Sequence, residues 1–236
     1  MMNQTNQLNQ QQQMMNQSQM QSNQLQSNQL PQNMSHGGHE VFDAHEIIAE
    51  MINVLDQYMM FRSFMKDQEL IDILDRQYAF IESQYNLIVD AFSTGSKPQG
   101  GSTDVYKMTQ SNDVVFGVSP TQPKKPNRSI SEIKEAGLSA HMLGLLKTTA
   151  STMTMTSVEM TNPVLRRILA DTVPNMIEMA YEVFLYQNKH GYYQVPQLKQ
   201  QDMQTMTQAY AKTTAPPQMP NGGENQTQQQ QQPFMQ

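Results

Sequence analysis

The stretch DQELIDILDRQYAFIESQYNLIVDAF, residues 67–92, decides the architecture. Within it Ile71, Leu74, Tyr78, Ile81, Tyr85, Ile88 and Phe92 succeed one another in alternating steps of three and four. That period puts them on a single stripe of an α-helix, and so narrow a stripe is the seam of a helical bundle. Asp67 stands just ahead of the periodic run, where its carboxylate suits the free N–H groups of a first helical turn. One amphipathic helix cannot cover its own apolar stripe, so the flanking sequence must supply partners.

It supplies three. On the N-terminal side a helix is expected from Glu40 to Lys66, with Ala44, Ile48, Met51, Leu55, Tyr58 and Met65 on one face. Asp43 followed by Glu46 has the form of a capping box and sets its regular start. On the C-terminal side Ser129-Ile-Ser-Glu132 is a second capping box, expected to open a helix that carries Leu138, Met142, Leu145, Thr149, Met153 and Met160 inward. Its second half, Thr148 to Ser157, is rich in Thr, Ser and Met, side chains that permit close helix approach or a contact surface. Asn162-Pro163 then gives an N-cap and a first-turn proline for a last long helix, with Leu165, Leu169, Met176, Ala180, Val183 and Phe184 inward. Pro174 should kink it, and Gly191 should end it after Lys189 and His190. A short helix is expected between Gln200 and Tyr210.

The second and third long helices are separated by residues 93–128, rich in Gly, Ser and Pro. Antiparallel neighbours need only a short turn, so this length predicts a crossover along the bundle. Its end, Pro120-Thr-Gln-Pro-Lys-Lys-Pro126, should be extended and polyproline-like. Residues 113–117 would either pin the crossover down or form a small strand. The predicted fold is therefore all-α, a ferritin-like four-helix bundle with a long crossover between helices 2 and 3.

The termini differ in kind. Residues 1–34 hold 13 Gln and 7 Asn, with QSNQL repeated in tandem at 21–25 and 26–30. So polar a segment buries too little apolar surface to offset ordering entropy, and Gln/Asn-rich tracts also associate through amide ladders. The domain limits that follow are a disordered Gln/Asn/Met-rich tail at 1–36, a helical domain at 37–210, and a disordered Pro/Gln-rich tail at 211–236. The tail glutamines are chemically suited to donate acyl groups to lysines such as Lys124 and Lys125.

A net charge of −6 with no basic face argues against nucleic acid as a partner. There are no cysteines, so disulfides and thiolate metal sites are excluded. No window approaches the roughly 18 apolar residues of a membrane span, and the start lacks the charged and apolar regions of a secretory signal. The expectation is a protein made inside a cell, with neither a membrane nor a small-molecule substrate as partner.

Helical bundles that hold two metals do so with Glu-x-x-His on two helices. None occurs here: Glu82 leads to Tyr85, Glu159 to Asn162, Glu178 to Tyr181. Two polar stripes, Glu46, Glu50, Asn53 and Gln57 on the first helix and Arg167, Asp171, Asn175, Glu178 and Glu182 on the fourth, would suit a carboxylate site if they met inside. As amphipathic helices need solvated faces, both are expected outside. His36, His39 and His45 with Glu40 and Glu46 offer ligands for a divalent cation, although nothing in their spacing fixes a geometry. His141 stands alone, and there is no phosphate loop. Catalytic, cofactor and metal residues in the bundle are thus expected to be none.

Several segments together resemble the coat F family of spore coat proteins from endospore-forming bacilli. They are Val54-Leu-Asp-Gln-Tyr58, Lys66-Asp-Gln-Glu-Leu70, Asp72-Ile-Leu-Asp-Arg76, Lys107-Met-Thr-Gln-Ser-Asn-Asp113 and Ser119-Pro-Thr-Gln-Pro-Lys-Lys-Pro126, then His141-Met-Leu-Gly144, Thr161-Asn-Pro-Val-Leu-Arg-Arg167, Asn175-Met-Ile-Glu-Met-Ala-Tyr181 and Tyr186-Gln-Asn-Lys-His-Gly-Tyr-Tyr193. The resemblance spans about residues 38–205. It implies a ferritin-like bundle, a place in the spore coat after synthesis in the mother cell, other coat proteins or further copies as partners, and no catalytic residues. The rival expectation is a metalloenzyme with an unusual ligand set of Glu46, Glu50, Glu82 and Glu178 with His141.

Overall fold

The computed structural model describes residues 36–217. The expected tails therefore lie outside the described residues, apart from His36 and the exposed, non-helical 211–217. Four long helices follow in order: α1, Gly38–Arg62; α2, Gln68–Thr94; α3, Glu135–Glu159; and α4, Pro163–Lys189. A short α5, Gln200–Thr207, belongs to a second compact unit that begins at Pro196, whereas the bundle ends with the first unit at Val195.

Helix α1 packs on α2 and α3, and α4 packs on α2 and, most extensively, on α3. Short turns make α1–α2 and α3–α4 antiparallel pairs. The remaining directions follow from contacts at the ends. His39 near the start of α1 meets Glu159 at the end of α3, and the Lys66 N–H beyond the end of α1 donates to Glu135 at the start of α3. Asp67 at the start of α2 accepts from Tyr186 near the end of α4. Hence α2 and α3 run parallel across the bundle diagonal, and the chain from Gly95 to Lys134 travels the full height between them. This is the expected one-crossover connectivity.

Two helix starts obey their sequence signals. The Asp67 side chain accepts from the Glu69 N–H at 2.9 Å, and Asn162 accepts from Val164 and Leu165 at 2.9 and 3.0 Å, with Pro163 at the first helical position. At the far end of α2, Gly95 adopts φ 64°, a left-handed cap closed by its N–H to Ala91. Gly191, at φ 71°, turns the chain after α4.

Two other starts do not. Helix α1 begins at Gly38, ahead of the Asp43–Glu46 signal, because Glu40 is drawn into a buried contact described below; it ends at Arg62, and Met65 is buried from the turn. Ser129–Glu132 forms only a 3-10 turn, with Glu132 accepting from the Arg128 N–H, and α3 starts at Glu135 after an extended Ile133. Ile133 packs against the core from that extended position, which separates the turn from the helix. Helix α4 continues through Pro174.

The core is one cluster in which Ile47, Met51, Tyr58, Leu70, Ile73, Leu74, Ile81, Met142, Leu146 and Met153 are essentially inaccessible. Each such aliphatic side chain contributes about 2 kcal/mol from burial. The seam of α2 is rotated from its expected position. Leu74, Ile81 and Ile88 are buried, Ile71, Tyr78, Tyr85 and Phe92 sit half-buried on its flank, and Gln77 and Gln84 complete the interior stripe. Among the described residues no helix is long and apolar enough to cross a membrane.

Candidate functional site

The polar stripe of α4 is a solvated face only in part: Arg167 is exposed and Asp171 and Glu178 are half-buried, but Asn175 and Glu182 are covered, as is Asn188 further along the helix. Asn175, Glu182 and Asn188 are buried, and Glu182 is wholly inaccessible. The cover is the crossover, which runs along α4 and is held by these three side chains. Asn175 accepts from the Tyr106 N–H at 2.8 Å and donates to the Asp104 carbonyl at 3.0 Å. Asn188 accepts from the Val115 N–H at 2.6 Å and donates back to the Val115 carbonyl at 2.9 Å. Beyond them the Gly117 N–H bonds Val195, so residues 113–117 both pin the crossover and make an isolated bridge, not a strand.

Glu182 sits between these two clamps. One carboxylate oxygen accepts from Arg76 at 2.6 Å and from the Thr109 N–H at 3.0 Å; the other accepts from the Tyr106 hydroxyl at 2.5 Å and from Gln77 at 3.2 Å. Gln77 in turn accepts from the Tyr58 hydroxyl at 2.8 Å and donates to the Met179 carbonyl. The network therefore joins α1, α2, the crossover and α4. Four donors on one carboxylate, one of them a guanidinium, are what a buried charge needs to remain in the interior. Burial and the Glu182 carboxylate push the Tyr106 hydroxyl well above the ordinary tyrosine range, with Arg76 opposing in part. Tyr58 is raised for the same leading reason, burial. Phenols held this way keep their protons and act as donors, not nucleophiles.

A second buried carboxylate lies at the other end of the bundle. Glu40 accepts from the backbone N–H groups of Thr161 and Asn162 at 2.7 and 2.9 Å, from the Thr161 hydroxyl, and lies 2.5 Å from His36 Nδ1. The other nitrogen of His36 donates to the Phe92 carbonyl at 2.9 Å. Burial would raise the Glu40 carboxyl, but the hydrogen bonds from Thr161, His36 and Asn162 together hold it below its usual range. Glu40 thus clamps the turn before α4 to the start of α1.

The residues singled out by spacing are otherwise dispersed. His36 joins Glu40, His45 meets the Phe92 ring edge-on, and His39 faces Asp43 and Glu159. Glu46 is exposed, Glu50 accepts from Thr149 on α3, Glu82 lines an open hollow with Asp90 and Asp104, and His141 stacks on Phe61. Glu178 is half-buried on α4. These five do not converge: among the described residues the only three metal-ligating groups brought together are His39, Asp43 and Glu159. Sequence reasoning named Asn175 and Glu182 but expected them outside, and it gave no site role to Asn188, Arg76 or Tyr106. For Asn175 and Glu182 the available signal was their place on the helical wheel, at the edge of the core arc beside Met179 and Tyr186.

Three comparisons bear on this arrangement. Residues 134–196, which contain α3, α4 and all three clamps, match the model of the Coat F domain. The chain is 52% identical over 175 residues to the spore coat protein F-like protein YhcQ of Bacillus subtilis strain 168, covering 74% of this chain and 80% of that one. A crystal structure from Bacillus halodurans, provisionally described as a spore coat protein, superposes with a TM-score of 0.52 at 13% identity, covering 72% of this chain and 99% of that one. At that identity the likeness concerns the fold alone.

Proposed function

The chain belongs to the Coat F family, and from that premise we propose that it is a structural, non-catalytic component of the bacterial endospore coat. It is made in the mother cell and acts by association with other coat proteins and with further copies of itself. The observation that carries this reading is the use of Glu182. Its hydrogen bonds are directed at the chain's own elements, so the most buried charge in the bundle fastens a strap. A ferritin-like bundle without Glu-x-x-His fits the same role. Exposed apolar residues, among them Phe42 at 73% and Val158 at 78%, give the surface contacts that an assembling protein requires. The functional domain is taken as residues 37–210, flanked by tails that contribute polar contacts.

A fluorescent fusion followed through sporulation tests the proposal. Signal that forms a shell on the developing spore, and protein recovered from mature spores only by coat-extracting detergent, is the expected result. Signal that stays diffuse in the mother cell would remove the structural reading.

A further inference from the structure

We infer that His39, Asp43 and Glu159 form a divalent-cation site that ties the start of α1 to the end of α3. His39 and Asp43 stand one turn apart on α1, and Glu159 is the last residue of α3. His39 Nδ1 is 2.8 Å from Asp43 Oδ2 and 3.4 Å from Glu159 Oε2, and the three ligand atoms all lie within 4.8 Å of one another. In a tetrahedral site with metal–ligand bonds of about 2.0–2.2 Å, neighbouring ligand atoms are about 3.3–3.5 Å apart, so a small adjustment accommodates an ion.

The orientation of the pair is the second observation. Asp43 Oδ2 is inaccessible and, among the described residues, accepts no hydrogen bond, although the His39 nitrogen is within 2.8 Å. Two polar atoms that close normally share a proton along the line between them. Here the pair stands at ion-pair distance without a hydrogen bond, and although the Asp43 side chain is 20% exposed, its Oδ2 atom is left without a donor. Such an atom carries a desolvation cost, and a cation held between the two would remove it. The donor set of one imidazole nitrogen and two carboxylate oxygens selects Zn²⁺ first among common divalent ions and leaves the fourth position to water. His39 is 77% exposed at its side chain and Glu159 46%, so the ion exchanges freely and binds more weakly than one enclosed by a core. It is separate from the bundle interior, where no Glu-x-x-His exists.

The test is calorimetric titration of the full chain, stripped with chelator, with zinc chloride, alongside melting curves with zinc and with chelator. One zinc per chain and a rise in melting temperature are expected. His39→Ala and Glu159→Gln should each weaken binding at least tenfold and abolish the rise. Asp43→Asn should lose the zinc response while melting no lower than the native chain in chelator, since it removes an unpartnered charge. His141→Ala, an exposed histidine elsewhere on α3, should bind as the native chain does. Saturable zinc binding that survives His39→Ala unchanged, or no saturable binding up to about 1 mM, would overturn the assignment. Neither outcome bears on whether the protein reaches the spore coat.

Discussion

The polar stripes of α1 and α4 look alike in the sequence, yet only the second is carried into the interior, at Asn175 and Glu182. On α1, Glu46 and Asn53 face solvent, Gln57 donates to Asn53 at the surface, and Glu50 reaches only a neighbouring threonine. On α4, Arg167 stays exposed and Asp171 and Glu178 are half-buried, but Asn175 and Glu182 are buried and engaged, as is Asn188 beyond them. Propensity does not separate the two, since both consist mainly of amide and carboxylate side chains at helical spacing. What separates them is the crossover, which passes over one helix and not the other. A polar stripe is therefore a question about what covers it, and the helix alone does not hold the answer.

The contrast is sharpest at Glu182. Replacing it with alanine leaves Arg76, Tyr106, Gln77 and the Thr109 N–H without their acceptor, and breaking a buried pair this way costs about 3–5 kcal/mol. Glu50→Ala on α1 should cost no more than about 1 kcal/mol. Urea unfolding of the two variants measures both, and equal losses would dissolve the distinction between the stripes. Asn175→Ala comes next. It removes two hydrogen bonds to the crossover and should cost about 1–3 kcal/mol. It should also expose the crossover to trypsin at Lys107 while the helices stay intact, which gel analysis of a digestion time course reads directly.

Glu40 gives the contrast a pH dependence. Its folded-state carboxyl is held below its unfolded value, so its contribution is fully present above about pH 4.3 and is lost as pH falls through the folded value. Glu40→Gln should flatten the acid limb of a stability-versus-pH curve; the same change at exposed Glu46 should leave that limb unaltered. The smallest effect is expected at Gln57→Ala, whose hydrogen bond is at the surface, within about 0.5 kcal/mol of native by thermal melting.

Much of the bundle was legible because it is local. Asp67, Asn162 and Pro163 announce their helices within one turn, and the three-four period locates α2 correctly to within a rotation about its axis. That rotation escaped because Gln77 and Gln84, which occupy the interior stripe, count as polar in any reading by hydropathy. Gln77 is tolerated there by hydrogen bonds to Tyr58, Met179 and Glu182, contacts between separate helices. The burial of Glu182 escaped for a stronger reason. Its partner Tyr106 is 76 residues away, and nothing local in either segment encodes their meeting. The Ser129–Glu132 signal shows the converse: a valid local turn whose continuation is decided by where Ile133 packs.

The order of synthesis turns the crossover into a timing device. Tyr106 leaves the ribosome 76 residues ahead of Glu182. At about 5–20 residues per second the strap waits roughly 4–15 s for the helix it docks on. Through that interval Arg76, Gln77 and Tyr106 are present without the Glu182 carboxylate that accepts from them. The network joining α1, α2 and the crossover can therefore close only after most of the last long helix has emerged.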